Sequence, residues 1–202
     1  HRSGALWVMN SLAVDRLGLD AAVDHPGVER DAAGRATGRL FRLDAWLRER
    51  LEHRAPPGLA EVSRRLASFG VTGLTDATVE NASAELCAFV AAAERGELLQ
   101  RLLVMGGPDL PSPNHTRVQR GAVKVRLDET DLPALDELQR IIETAHEGDR
   151  SAAFHCVTRA ELVLAAAAFA AAGCRPGDRI EHAAVTPPDA LELLAGLPLT
   201  VV

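Results

Sequence analysis

Tyrosine is absent from this 202-residue chain and aromatic residues make up 3% of it. That leaves no stacking platform for single-stranded nucleic acid, and a core to be built from Ala, Leu and Val. Cysteine is scarce as well. Cys87, Cys156 and Cys174 are odd in number, far apart and without a C-x-x-C pair, which excludes a disulfide framework or a zinc ribbon and fits a reducing compartment. The longest apolar run, Leu162 to Gly173, falls short of the roughly 18 residues a membrane span needs. No basic segment leading into an apolar one marks a signal peptide. Excess positive charge is also missing: 22 basic residues face 28 acidic ones, for a net charge of −6, so a polyanion-binding surface is not a property of the whole chain. The expectation is a soluble cytoplasmic protein with no nucleic-acid or membrane partner.

What is present is globular. Hydrophobic residues are 47% and charged residues 25%, ordinary folded proportions for one large domain or one with an appendage. The chain begins at His1 without an initiator Met and stops inside the β-branched run Leu199-Thr200-Val201-Val202; we expect a piece of a longer protein. Residues 1–69 read as a helical insert or cap. Asn10 or Ser11 caps a helix that Gly18 stops, a polar stretch from Asp20 to Thr37 reads as loop or hairpin, and helices follow over Leu43–His53 and Leu59–Phe69.

From Gly70 the pattern alternates. β-Branched runs at Val71–Thr75, Arg101–Met105, Ala122–Leu127, Ala152–Val157, Arg179–Ala183 and Leu199–Val202 are separated by helical segments near Asn81–Arg95, Leu132–Glu147, Arg159–Ala172 and Pro188–Leu194. Only residues 106–121, with Pro108, Pro111 and Pro113, lack a helix. Strands alternating with helices mean a parallel sheet. No G-x-G-x-x-G follows the first strand and no P-loop is present, which favours a barrel over a nucleotide-binding sheet. Barrel chemistry sits at the C-terminal ends of the strands.

Three consecutive strands deliver a titratable group there: Lys124 between two valines, His155 in Ala152–Val157, and His182 in Arg179–Ala183. A lysine on a core strand needs a partner, a depressed pKa or a covalent modification. Each of the three alone reads as a core or rim residue; together they point to a site. Asp76 at a strand end reaches either the site or the cap of the next helix. His115 and Arg117 lie in the Pro-rich loop, which we place on the mouth side. Glu181 and Cys156, each next to a histidine, should alternate away from the site. His25, His53 and His146 read as surface residues.

These motifs carry a resemblance. Val123-Lys124-Val125, Phe154-His155-Cys156-Val157-Thr158-Arg159-Ala160 and Gly177-Asp178-Arg179-Ile180-Glu181-His182-Ala183 resemble the middle strands of the amidohydrolase superfamily. The likeness is in particular to the amidohydrolase-3 group, which includes N-substituted formamide deformylases. Ala5-Leu6-Trp7-Val8-Met9-Asn10-Ser11 resembles that group's insert between the first two barrel strands, and Gly70-Val71-Thr72-Gly73-Leu74-Thr75-Asp76 its second strand. The resemblance implies an α/β chain forming part of a (β/α)8 TIM-type barrel, about strands 2 to 7, over residues 70–202.

It further implies a divalent metal centre, one or two ions and usually zinc, with Lys124, His155 and His182 as ligands. Lys124 is carbamylated in many relatives of this type, and a carbamate oxygen can bridge two cations. Trp7, Asn10, Asp76 and His115 are the candidate substrate contacts. The implied reaction is hydrolysis of a non-peptide C–N bond in a small amide-type molecule through a metal-activated water. No H-x-H pair of the first strand occurs in the chain, and the strand-8 aspartate that serves as general base is expected beyond Val202. Two histidines alone bind zinc weakly, so the chain by itself is expected to be inactive. Two alternatives stay open: a Schiff-base lyase or aldolase using Lys124, and a non-catalytic barrel fragment that forms a homo-oligomer through its open edges.

Overall fold

The computed structural model describes residues 6–20, 24–51 and 58–202, and the chain divides into two compact units, residues 1–57 and 58–202. His1, His53 and Pro56-Pro57 lie outside the described residues. In the first unit, β1 (Leu6–Val8), β2 (Val28–Arg30) and β3 (Ala36–Phe41) form an antiparallel sheet in the order β1-β3-β2, beside helices α1 (Ser11–Leu17) and α2 (Asp44–Arg50). Helix α1 is bounded as its sequence dictates. Asn10 accepts the Ala13 amide at 2.9 Å, and Gly18 ends the helix at φ 63°, a backbone that costs glycine nothing. Val14, Leu19, Leu40, Leu43 and Leu47 make a small separate core.

This unit is more than helical. The stretch read as loop or hairpin carries β2 and the first two residues of β3, and β3 buries Gly38 and Leu40 while exposing Thr37, Arg39 and Phe41. That period of two is masked in sequence because the apolar face is only two residues deep. Asp31 closes the hairpin by accepting the Ala33 and Arg35 amides at 2.9 and 3.0 Å.

The boundary expected at 69/70 lies at 57/58. Helix α3 (Ala60–Ser68) belongs with the second unit because Ser63, buried on it, donates to Gln100 at 2.8 Å and accepts the Leu99 amide at 2.9 Å. Gln100 returns a bond to the Ser63 carbonyl at 3.0 Å. Two polar side chains that satisfy each other in a buried place hold that helix in one register.

The second unit is a six-stranded parallel sheet in sequential order, β4 (Gly73–Asp76), β5 (Arg101–Gly106), β6 (Val118–Arg126), β7 (Ala152–Cys156), β8 (Arg179–His182) and β9 (Thr200–Val201). The sheet curls into part of a (β/α)8-type barrel. Helices α4 (Ser83–Glu94), α5 (Leu135–Glu147), α6 (Arg159–Ala172) and α7 (Pro188–Ala195) alternate with the strands. The outer face of the sheet meets them through Val123, Phe154 and Ile180 against Leu138, Ile142, Leu162 and Phe169. Phe154 and Phe169 pack with ring centres 5.0 Å apart and planes tilted by 44°. Alanines 165, 166 and 168 let α6 lie close.

Helix α6 starts where Thr158 accepts the Glu161 amide and Glu161 answers the Thr158 amide at 3.0 Å, a reciprocal cap legible in the sequence. The β5–β6 connection has no helix, and β6 begins four residues earlier than expected because Gln119-Arg120-Gly121 hides a register shift between β5 and β6. Arg150 takes over what a helix would do there. Its guanidinium donates to the carbonyls of Gly106, Gly107, Pro108, Gly121 and Ala122. Among the described residues no helix is long and apolar enough to cross a membrane.

Candidate active site at the strand ends

Strand register decides which side chains meet. Lys124 pairs with Ala153, and Ala153 with Arg179; one step on, Arg126 pairs with His155, and His155 with Glu181. Paired residues of parallel strands share a face, and Val125, Phe154 and Ile180 take the helix side. Lys124, Arg126, His155, Arg179 and Glu181 therefore all face the barrel interior or its mouth. Lys124 is 5% exposed and reaches across Ala153, the small residue on the intervening strand, to an ion pair with Glu181. Glu181 is shared with Arg179 at 2.7 Å.

His182 is different. Its register partner is Cys156, which is fully buried on the helix side, so a regular strand would turn His182 outward. Instead His182 has φ 74° and Ala183 φ 42°, a conformation rare for residues with a Cβ. This twist at the strand's last residue sets the His182 ring 4.6 Å from that of His155, edge to face. Strained backbone of this kind persists where the surroundings impose it.

Electrostatics follow the burial. Loss of water pushes the Lys124 ammonium below the ordinary lysine range, against the opposing pull of Glu181. Glu181 itself stays below the usual carboxylate range, because Lys124 and Arg179 outweigh the penalty of burial. His155 is held below the ordinary imidazole value by burial first, then by His182 and Lys124. A neutral imidazole offers the lone pair a metal needs.

Two converging imidazoles fit part of a divalent metal site. Among the described residues no group of three or more His, Cys, Asp and Glu side chains could hold a metal ion, and a catalytic zinc takes about three protein ligands. Lys124, as an ammonium held by Glu181, offers no lone pair; it can join a metal only after losing that proton or becoming a carbamate. The remaining donors must come from residues other than these.

The other candidates are engaged locally. Asp76 accepts the Thr78 amide and the Asn81 side chain, both at 2.9 Å. Asn10 caps α1, and Trp7 donates to Asp44 at 2.9 Å within the first unit. His115 accepts the amides of Arg117 and Val118 at 3.1 and 3.0 Å. It therefore sits at the amino-terminal end of β6, about 20 Å along the strand from Lys124, not on the mouth side. With no helix in the connection, the Pro-rich segment itself crosses back along the sheet, and its last residues end at the start of the next strand. Arg117 there caps α4, donating to the Ala93 carbonyl at 2.7 Å.

His146, read as a surface residue, is buried and bonded to Asp178 at 3.0 Å, while His25 accepts the Gly27 amide at 3.0 Å. Glu181 escaped the sequence reading because parity was counted from His182, whose backbone departs from the strand. Counting from Ile180, which must face the helices, places Arg179 and Glu181 inside. A second signal is compositional: Lys124 is the single lysine of the chain, beside 21 arginines.

Comparison with known proteins agrees with this architecture. The Amidohydrolase family model matches residues 1–201. No curated protein matches the chain. Among solved structures, an uncharacterized metal-dependent hydrolase from Pyrococcus furiosus is similar at TM-score 0.68 and 20% identity, over 98% of this chain and 47% of that one. Another from Pyrococcus horikoshii OT3 gives 0.67 and 19%, over 98% and 46%. A Xaa-Pro dipeptidase with bound methionine in its active site gives 0.50 and 14%, over 70% and 44%. At these identities the likeness is one of fold, and the chain spans a little under half the length of each structure.

Proposed function

The chain belongs to the amidohydrolase family, and on that premise we propose that it is part of a metal-dependent hydrolase that opens a non-peptide C–N bond in a small amide-type substrate. The family and its fold-mates support a hydrolase that uses a divalent metal. The motif resemblance to N-substituted formamide deformylases supports the choice of bond and of zinc. The observation that carries the reading is the pair of imidazoles from adjacent strands, His155 and His182, set ring to ring beside the buried Lys124.

A divalent metal held there would supply Lewis acidity, the chemistry that activates water and an amide carbonyl. This chain's residues do the rest of what can be assigned. His155, whose neutral form burial favours, and His182, turned inward by its left-handed backbone, would hold the ion. Glu181 and Arg179 hold Lys124 at the interior edge of the pair. Lys124 would join the ligand set only after its Nζ leaves Glu181 and adds carbon dioxide with loss of a proton, and that state would set whether one ion or two are held. The Schiff-base alternative needs the same release of Nζ from Glu181 and lacks the family match that supports a hydrolase.

Metal analysis by plasma mass spectrometry on the full-length protein tests the proposal. One or two zinc ions per chain, lost in His155→Ala or His182→Ala, is the expected result. A wild-type protein that stays metal-free after growth with zinc overturns it.

A further inference from the structure

The sheet has a step at the end of β6 remote from His155. β6 starts at Val118, but β7 pairs with it only from Val123 onward. At that step lies a cavity of about 510 Å³, lined among others by Arg120, Arg150, His115, Ser112, Ser151 and Asp149. Sites for small organic ligands run from about 300 to 1,000 Å³. Arg120 stands four residues before Lys124, about 13 Å back along the strand.

Two guanidiniums meet here without a counter-ion. Arg150 is 7% exposed, and its hydrogen bonds go to backbone carbonyls. Burial first, and then the charge of Arg120, bring it down to about 10. A charge taken out of water is costly unless something opposite in sign accompanies it, and among the described residues no carboxylate pairs with Arg150 or Arg120. Half-buried Arg120 donates to the Leu110 carbonyl at 3.3 Å, so most of its fork of five N–H groups is unspent.

The rest of the lining adds donors. His115 accepts two amides at Nδ1, which puts the proton of the neutral ring on Nε2, an atom without a partner among the described residues. The hydroxyls of Ser112 and Ser151 are likewise unengaged among them. Asp149 is the single carboxylate of the lining; it is exposed, where water screens its charge. The acids next along the chain, Asp109 and Glu147, are exposed and outside the lining. Asp178, which bonds the Ala152 amide, is taken up by His146 and the Arg175 amide.

We propose that this cavity binds a phosphate monoester, its phosphoryl oxygens held by Arg120, the His115 Nε2–H and the two serine hydroxyls, beside the uncompensated charge of Arg150. Four donor side chains from three chain segments suit the three oxygens of a tetrahedral group better than the two of a carboxylate. The phosphoryl group carries close to two negative charges, a planar guanidinium matches its oxygens in pairs, and the volume leaves room for an organic body. The site is independent of the hydrolase reading.

Calorimetry on the full-length protein with glycerol 1-phosphate, inorganic phosphate and acetate tests it. The ester should bind most tightly and acetate at least about tenfold more weakly. Arg120→Met should weaken the ester about 10- to 100-fold, the range of a charge-assisted hydrogen bond, and Arg120→Lys less. Ser112→Ala, on a segment that holds no element in place, should weaken it about two- to fivefold and keeps the test open if Arg120→Met fails to fold. Asp149→Asn should tighten binding. His155→Ala should leave it unchanged, which separates the cavity from anion binding to a metal at the strand ends. Inorganic phosphate binding as tightly as the ester overturns the choice of ester in favour of the free ion. Acetate binding as tightly, no saturable binding, affinity unchanged in both Arg120→Met and Ser112→Ala, or affinity lost in His155→Ala overturns the site.

Discussion

Asp178 offers the sharpest test of what holds the strand-bearing unit together. Its carboxylate is fully buried at the start of β8. It accepts the Ala152 amide at 2.8 Å, the Arg175 amide at 2.7 Å and the His146 ring at 3.0 Å. One side chain thereby ties the first residue of β7, the turn before β8 and the end of α5. Asp178→Ala removes both acceptor oxygens and the three contacts they make, and leaves two amides and a ring N–H without partners in a place water does not reach. Each unsatisfied buried donor costs about 1–3 kcal/mol, so the three together should cost about 3–9 kcal/mol. That is a large part of the 5–15 kcal/mol that typically separates folded from unfolded states. Asp178→Asn keeps one acceptor oxygen and lets His146 change tautomer, but points an N–H₂ at an amide donor; about 2 kcal/mol is expected. Urea denaturation followed by circular dichroism measures both. A cost under about 1 kcal/mol for Asp178→Ala, or equal costs for the two variants, would refute the reasoning.

Three further outcomes are expected. Burial, and then the charge of Glu161, push the Cys156 thiol up to about 12. Ellman's reagent at pH 8 should therefore label the exposed Cys87 in the native protein and reach Cys156 only on unfolding. Because this folded value lies above that of the unfolded thiol, stability is intact below about pH 9 and is lost as pH climbs toward 12; Cys156→Ala should remove that slope in alkaline denaturation. Phe154→Ala and Phe169→Ala should each cost about 3–5 kcal/mol, and the double variant should reveal a coupling of about 0.5–1.5 kcal/mol in denaturant midpoints, since the rings touch at 5.0 Å. Gly106→Ala should lower Tm by several degrees in a thermal melt, because the new Cβ meets the Asn81 carbonyl at 2.5 Å and the 77–82 loop must shift.

The alternating half of the chain was legible because its signals agree at several levels. Helix α6 follows its sequence to the residue, with Thr158 and Glu161 to start it and Gly173 to stop it. Lys124 and His155 could be placed on one face because their strands are regular. Legibility fails where a backbone departs from its period. The left-handed φ of His182 reverses the parity that made Glu181 look external, and the register shift near Gly121 hides the first residues of β6. His146 was misread for another reason. A histidine at a helix end is usually solvated, and only the tertiary fold brings Asp178, 32 residues away, to bury it.

Arg150 has a consequence for how this architecture can vary. In most repeats of such a sheet the returning helix both covers the strands and fixes the path of the chain. Between β5 and β6 those tasks are separate: a single guanidinium from the α5–β7 turn fastens the departing carbonyls at 106–108 and the arriving ones at 121 and 122. Inside those anchors Leu110 is still buried in the core beside β5 and His115 still accepts the Arg117 and Val118 amides, which leaves residues 111–114 as the part of the connection free of such contacts. Lengthening the chain at 111–114 should leave Lys124 and His155 in register so long as Arg150 is kept.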